Sequence, residues 1–100
     1  MLYMIYGEDA ADSAARRAAA RPAHLDHIQA LVDAGRVVTA GPLPAIDSPD
    51  PGPAGMSGSL IVAEFDSLVA AAAWIEADPY VTQRVFARVT VKPFKQVLPV

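Results

Sequence analysis

The chain has 100 residues, a formal net charge of −3 and no cysteine. This length predicts a single domain over residues 1–100 with one modest core. The charge supplies no basic surface for nucleic acid, and the lack of cysteine excludes disulfides and thiolate metal sites. No segment approaches the ~20 apolar residues of a membrane span, and the N-terminus lacks the basic start of a signal peptide, so we expect a cytoplasmic protein.

Hydrophobic residues make up 53% of the chain, which is a large share for its length. A small monomer has a high surface-to-volume ratio and buries a limited fraction of its apolar surface. We therefore expect an oligomer, at least a homodimer, that covers a second apolar face.

An apolar strand begins the chain. Residues 1–7 are apolar on both alternating sets of side chains, which predicts a strand covered on both faces. An acidic turn over residues 8–12 follows. Asp12 or Ser13 can then cap a short helix that runs through Ala20, where alanines supply the helix propensity.

A second helix over about residues 22–34 carries both histidines. Pro22 suits a first helical turn, because its missing N–H has no helical partner there, and Gly35 suits a left-handed helix end. At about 100° per residue, one side of this helix collects Leu25, Ile28, Leu31, Val32 and Gly35. This spacing predicts that His24 lies at the edge of the core and that His27 meets solvent.

Two strands separated by a long loop follow the helices. Residues 36–41 and 59–66 have strand character, and residues 42–58 are rich in proline, glycine, serine and aspartate. A loop this long in a small domain is usually a binding element or a disordered, low-complexity segment. Both interpretations stay open here.

The last third of the chain predicts a helix and a strand. Asp66 or Ser67 caps a helix over about residues 67–77. Asp78-Pro79-Tyr80 ends it, because the residue before a proline disfavours the α conformation, and a short turn or helix runs to about Phe86. A strand over residues 87–97 contains Pro93, which cannot donate to a ladder and so indicates a sheet edge or a bulge.

The element order is β-α-β-β-α-β with an extra short helix. This order is typical of the ferredoxin-like α+β fold, an antiparallel sheet with its helices on one face. The first strand then leaves an apolar face without a cover. Packing two such sheets face to face would cover it.

Four short motifs together resemble the YciI-like (YCII-related) family, over essentially the whole chain. They are Arg21-Pro22-Ala23-His24, Thr39-Ala40-Gly41-Pro42, Ala77-Asp78-Pro79-Tyr80 and Val91-Lys92-Pro93-Phe94. The resemblance implies a dimeric α+β barrel built from two ferredoxin-like protomers. It also implies a histidine–aspartate pair at an active site, which here is His24 and Asp78.

The resemblance also implies an activity, and the chain departs from the family pattern at one point. A relative with this domain acts as a dehydrochlorinase on a chlorinated hydroxyhydroquinone, while most members have no established substrate. Relatives tend to have a small residue a few positions after the Asp-Pro-Tyr motif, where this chain has Gln83-Arg84. A large cation there would reshape the pocket or bind an anionic ligand.

The residues alone do not bring His24 and Asp78 together, since they lie at termini of two different predicted helices. If they touch, Asp78 accepts a hydrogen bond from one ring nitrogen and fixes the tautomer, so that the other nitrogen can exchange a proton with a substrate. Two bland alternatives stand beside this hypothesis. His24 can be a structural histidine at the core rim, and Asp78 can be the N-cap of the turn that Pro79 begins.

Further residues near the histidine are candidates for ligand contact. Arg16, Arg17 and Arg21 can form an anion-binding cluster, although a solvated helix face is the commoner explanation. Arg21 is close enough to His24 to be a candidate substrate anchor. Tyr80 can contact a ligand or pack in the core. Gly41-Pro42 lets backbone approach a ligand or simply makes a turn. No metal site is expected, because two histidines three residues apart lack a convincing third ligand.

Two functions remain in contention. The first is a small enzyme without a cofactor, in which His24 and Asp78 perform general acid–base chemistry on a small cyclic or enolisable compound, phenols included. The second is a non-catalytic domain that keeps the pocket and binds a small ligand or a protein partner. No interaction with nucleic acid or membrane is expected from either.

Overall fold

The computed structural model describes residues 1–100, and it has the predicted β-α-β-β-α-β order with one short helix before the last strand. The bounds are β1 Leu2–Asp9, α1 Ala14–Asp33, β2 Val37–Pro44, β3 Met56–Glu64, α2 Leu68–Glu76, α3 Pro79–Thr82 and β4 Phe86–Phe94. None of the helices combines the length and the apolarity needed to cross a membrane.

The four strands form one antiparallel sheet in the order β2-β3-β1-β4. Ile5 on the central strand β1 pairs with Ile61 of β3 on one side and Val91 of β4 on the other. This is the ferredoxin-like α+β fold that the sequence predicts. Strand β4 lies at the sheet edge, where the missing N–H of Pro93 costs no internal ladder bond.

The core lies between the sheet and its helices. Alternate residues of β1 are buried, as a strand with one face on the helices requires. The core cluster consists of Tyr3, Ile5, Ile28, Leu31, Ile61, Ala63, Phe65, Ala71 and Ile75. On the opposite face of the sheet, the apolar side chains of Met4, Tyr6 and Leu60 are only half-buried.

The helix prediction needs one correction, because α1 runs unbroken through Pro22. Its ring removes the hydrogen bond to the carbonyl of Ala18, but both residues are exposed, so water can solvate that carbonyl. The buried stripe of Ala20, His24 and Ile28 continues across the proline. Packing of this stripe therefore outweighs the local cost of the proline.

Two apolar residues that were predicted to lie on the core side of this helix are exposed. Leu25 and Val32 are 40% and 46% exposed, whereas His24 is 8% exposed and takes a core position. The buried side of α1 is thus rotated relative to the predicted one. In the continuous helix, Ala20 and Ile28 set which side is buried. The predicted helix end is confirmed, with Gly35 at φ +72°.

The predicted boundaries around the sheet also change. Strand β1 includes Glu8 and Asp9, which were assigned to an acidic turn. The predicted 42–58 loop shrinks to residues 45–55, which contain a short 3-10 helix at Gly52–Ala54, because β2 and β3 pair as far as Pro44 and Met56. Strand β4 ends at Phe94 rather than at residue 97.

The structure decides between the alternative N-cap residues that the sequence allows for each helix. Ser67 caps α2, and its side chain accepts a hydrogen bond from the Ala70 N–H. Ser13 is the N-cap of α1, but its hydroxyl donates to the Asp9 carboxylate at 3.5 Å instead of capping the helix. Asp78 caps α3, with Pro79 in the first turn as predicted.

Gly58 provides a test of the sheet geometry. A Cβ at this position would clash with the backbone oxygen of Gly7, whereas a Cβ at Gly41 would meet nothing within 4 Å. We expect Gly58→Ala to lower the free energy of unfolding by about 1–3 kcal/mol, because backbone must shift to admit the methyl group. Urea unfolding of this variant beside Gly41→Ala measures the difference, and equal midpoints would contradict the close approach of β1 and β3.

Candidate active site

His24 and Asp78 meet in the interior. The Nδ1 atom of His24 lies 2.8 Å from Oδ1 and 2.9 Å from Oδ2 of Asp78. The Asp78 side chain is fully buried, and that of His24 is 10% exposed. Because the carboxylate also accepts from a backbone N–H, it acts as an acceptor, and the contact assigns the proton of the His24 ring to Nδ1.

The α2–α3 junction places Asp78 under the histidine. Helix α2 ends at Glu76, and Pro79 starts α3 immediately after Asp78. The Oδ1 atom of Asp78 accepts from the Tyr80 N–H at 2.8 Å. The same carboxyl group therefore caps α3 and holds His24, so the two interpretations of Asp78 are compatible.

The Tyr80 ring fixes the plane of the imidazole. It stacks on His24 with centroids 3.8 Å apart and an interplanar angle of 7°. The Arg17 guanidinium lies over the same ring, 4.7 Å from its centroid. Arg17 lies two turns before His24 on α1, about 10 Å along the helix, and both side chains contact the Tyr80 ring. The Phe86 ring packs edge-on against Tyr80, with centroids 5.5 Å apart.

The Tyr80 hydroxyl faces two opposing influences. Burial raises the pKa of Tyr80, and the nearby charges of Arg17 and Arg21 lower it without cancelling the effect of burial. The phenol is therefore neutral at physiological pH. It lines the cavity described below as a neutral group that can donate or accept a hydrogen bond.

Arg17 is held in place by three neighbours. Its Nε and Nη2 atoms donate to the two Asp9 oxygens at 2.8 and 3.0 Å, and Nη2 also donates to the Ser59 hydroxyl at 2.9 Å and to the Gly58 carbonyl at 3.0 Å. Burial disfavours the charge, but the bonds and charge of Asp9, with a smaller contribution from Tyr80, outweigh it and raise the pKa of Arg17. The Nη1 atom makes none of these contacts.

A cavity of about 210 Å³ opens between α1 and the β2–β3 hairpin. Five of the six predicted site residues line it, and these are Arg21, His24, Gly41, Pro42 and Tyr80. The sixth, Asp78, lies behind the His24 ring. Every buried side-chain nitrogen or oxygen has a partner, and His24 Nε2 makes no hydrogen bond. This nitrogen is therefore accessible.

Two further polar residues, Arg17 and Ser59, line the cavity. The sequence leaves Arg17 open between an anion-binding cluster and a solvated helix face, and it does not single out Ser59. Residues 17, 21, 24 and 28 share a helix face at 3.6 residues per turn, but this periodicity is visible only when α1 continues through Pro22. The position of Ser59 depends on the sheet register and has no signal of its own in the sequence.

Two expectations about flanking residues were wrong. His27 is half-buried instead of solvated, with Nε2 2.8 Å from the Trp74 carbonyl oxygen and its ring stacked on Trp74 at 4.4 Å. Arg84 lines none of the cavities. Its backbone carbonyl instead accepts from Arg16 at 3.1 and 3.2 Å. The departure at Gln83-Arg84 therefore does not reshape the cavity.

The arrangement suits proton transfer. A neutral imidazole with its proton on Nδ1 presents a lone pair on Nε2 to the cavity, and the buried carboxylate stabilises the imidazolium that forms when Nε2 takes a proton. The structure contains no group of three or more histidine, cysteine, aspartate or glutamate side chains placed to hold a metal ion.

The protein is a ferredoxin-like α+β domain in which a hydrogen-bonded histidine–aspartate pair lies beneath a cavity. Sequence comparison shows the family to which this domain belongs. The chain belongs to the YCII-related domain family, whose model matches residues 1–95. It is 59% identical to Protein YciI of Escherichia coli O6:H1 over 97 residues, which cover 97% of this chain and 99% of that protein. An uncharacterized protein of Haemophilus influenzae is 44% identical over the same share of both chains.

A solved structure with the same fold binds a small ring compound. It is 5-chloro-2-hydroxyhydroquinone dehydrochlorinase (TftG) from Burkholderia phenoliruptrix AC1100 in complex with 2,5-dihydroxybenzoquinone. The TM-score is 0.82 at 29% sequence identity, and the match covers 95% of this chain and 94% of that one. The family and fold class that the sequence motifs predict are therefore confirmed.

Proposed function

We propose that this protein is a small acid–base enzyme that needs no cofactor and acts on a compact cyclic or enolisable compound, such as a phenol or quinol. The contact of 2.8 Å between His24 Nδ1 and the fully buried Asp78 carboxylate carries the proposal. It leaves Nε2 as the accessible proton acceptor. A dehydrochlorinase of the same fold acts on a chlorinated hydroxyhydroquinone, which supports a substrate of this size and chemistry.

The proposed reaction begins with proton abstraction. His24 Nε2 takes a proton from a substrate hydroxyl group or from a carbon beside a carbonyl, and the ring becomes an imidazolium whose Nδ1–H still donates to Asp78. The electron pair left on the substrate forms an enolate, or it expels an anionic leaving group from a neighbouring carbon. In a tautomerisation, His24 then returns the proton to a different substrate atom.

The cavity wall can stabilise the charge that develops on the substrate. Arg17 and Ser59 both line the cavity, and Asp9 holds the guanidinium of Arg17 through two hydrogen bonds. Donors fixed before the reaction stabilise a developing oxyanion without reorganising. In this proposal Arg21, Tyr80, Gly41 and Pro42 bind the substrate from the remaining walls.

A panel assay tests this function. Chlorinated and unchlorinated hydroquinones, together with cyclic β-diketones, are incubated with the protein in D2O, and NMR follows exchange of carbon-bound hydrogen while a chloride assay follows elimination. We expect the wild type to accelerate at least one of these reactions and the His24→Gln variant to lose the acceleration. Binding of a panel member without any turnover would instead support the non-catalytic alternative.

We also propose a homodimer that buries the open face of the sheet. Met4, Tyr6 and Leu60 are adjacent on this face and only half-buried in one protomer. A solution mass of twice the 10.5 kDa protomer is expected from light scattering. Leu60→Glu should reduce it to one protomer, because the charge would be buried without a partner. Val69→Glu, at a position 78% exposed on α2, is the matched control, and a wild-type monomer would contradict the proposal.

A further inference from the structure

A second and larger cavity lies against the first. Its volume is about 490 Å³, and it shares Arg17, Arg21, Pro42 and Tyr80 with the 210 Å³ cavity that His24 lines. We call the 210 Å³ cavity the inner cavity and the 490 Å³ cavity the outer cavity. Ligand pockets for drug-sized molecules have volumes of about 300–1,000 Å³, so the inner cavity alone suits one small ring. The adjoining space exceeds what a single ring requires.

The charges of the outer cavity are unevenly paired. Arg17 and Asp9 neutralise each other in a two-point ion pair. Arg21 lines both cavities but makes no side-chain hydrogen bond or ion pair, and Asp12 lines only the outer one with its carboxylate also unpaired. Arg21 is therefore the one unpaired cation of the wall, and it stands where the two cavities join.

Helix α1 and the turn before it order three charged or titratable residues from the inner to the outer cavity, namely His24, Arg21 and Asp12. Arg21 lies one turn before His24 on α1, on the same helix face. Asp12 precedes the start of α1, and Arg21 lies seven residues beyond that start, a distance of about 10 Å along the helix. A group with one negative charge is favoured at the junction, whereas a second negative charge farther out would approach Asp12.

We propose that the substrate carries a carboxylate that Arg21 binds at the junction, with the reacting ring in the inner cavity beside His24, and that any further part of the molecule extends into the outer cavity. This rests on the proposed function, since it places the reacting ring beside His24. The guanidinium matches a planar carboxylate through two parallel hydrogen bonds. Arg21 is thus a specificity-determining residue that selects acidic ring compounds over their neutral analogues.

The test compares two probes that differ by the carboxylate. Calorimetry measures the affinity of 2,5-dihydroxybenzoate and of hydroquinone for the wild type, Arg21→Gln and Arg84→Gln. Arg84 is exposed and lines neither cavity, so its variant makes the same change of charge outside the site. We expect the wild type to bind the benzoate about 10- to 100-fold more tightly than hydroquinone.

Arg21→Gln should remove that preference by weakening benzoate binding far more than hydroquinone binding, while Arg84→Gln should retain the preference. Equal affinity of the wild type for both probes, or an equal loss for both in Arg21→Gln, would overturn the proposal. Turnover is measured separately. An Arg21-dependent preference without turnover would uphold the carboxylate subsite and remove the acid–base function, and turnover without the preference would do the reverse.

Discussion

Replacing Asp78 with alanine is expected to lower the free energy of unfolding by about 2–4 kcal/mol. The substitution deletes a fully buried carboxylate, and it removes the acceptor for His24 Nδ1 and the side-chain cap of α3. The lost cap accounts for about 1 kcal/mol, and the lost buried hydrogen bond to a charged group accounts for the remainder.

Urea unfolding at one fixed protein concentration measures this effect, because stability of an oligomer depends on concentration. Asp26→Ala is the matched control, since Asp26 is exposed on α1 and makes no side-chain hydrogen bond. A double-mutant cycle with His24→Ala isolates the pairwise interaction. An Asp78→Ala midpoint equal to that of Asp26→Ala would show that the buried pair does not stabilise the fold.

Asp78→Asn separates the two roles of this residue. Asparagine caps a helix about as well as aspartate does, so α3 should keep its N-terminus. The neutral amide cannot stabilise an imidazolium as a carboxylate does. We therefore expect this variant to retain more stability than Asp78→Ala and still lose activity.

His24→Gln should reduce turnover of any substrate by about 10²- to 10⁴-fold, which is the range expected for loss of a general acid–base group. Glutamine retains a polar side chain but cannot accept and return a proton near neutral pH. Because Arg17, Arg21 and Tyr80 still line the cavity, ligand affinity should change little. The expected signature is a lower kcat with a nearly unchanged KM.

His27→Gln is the control for this variant. It makes the same replacement one turn away on α1, where the side chain contacts Trp74 and lies outside both cavities. Its kcat should stay close to that of the wild type, while its stability can fall through loss of the bond to the Trp74 carbonyl. Turnover by His24→Gln at the wild-type rate would remove His24 from the reaction.

The parts of the fold that follow from local chemistry were predicted from the sequence. The apolar run over residues 1–7 predicted the first strand, Gly35 predicted the left-handed end of α1, and the Asp78-Pro79 step predicted the start of α3. Each depends on a backbone preference or a period that neighbouring residues carry by themselves.

The errors occurred where tertiary packing outweighs local preference. Pro22 reads as a helix start, yet the buried stripe on both sides of it maintains a single helix. That break concealed the helix face shared by Arg17 and His24. His27 was placed in solvent because its partner, the Trp74 carbonyl, lies on another helix and has no sequence signal. Contact between His24 and Asp78 likewise required the family resemblance.

Nitrogen NMR of the His24 ring tests the central claim most directly, because it reports which ring nitrogen carries the proton. In protein labelled with ¹⁵N-histidine, at a pH where the ring is neutral, we predict a protonated Nδ1 and an unprotonated Nε2. Adding 2,5-dihydroxybenzoquinone should shift the Nε2 resonance, and Asp78→Asn should alter the Nδ1 signal. A proton on Nε2, or a ring that does not respond to either change, would contradict an Asp78-held histidine that faces its ligand through Nε2.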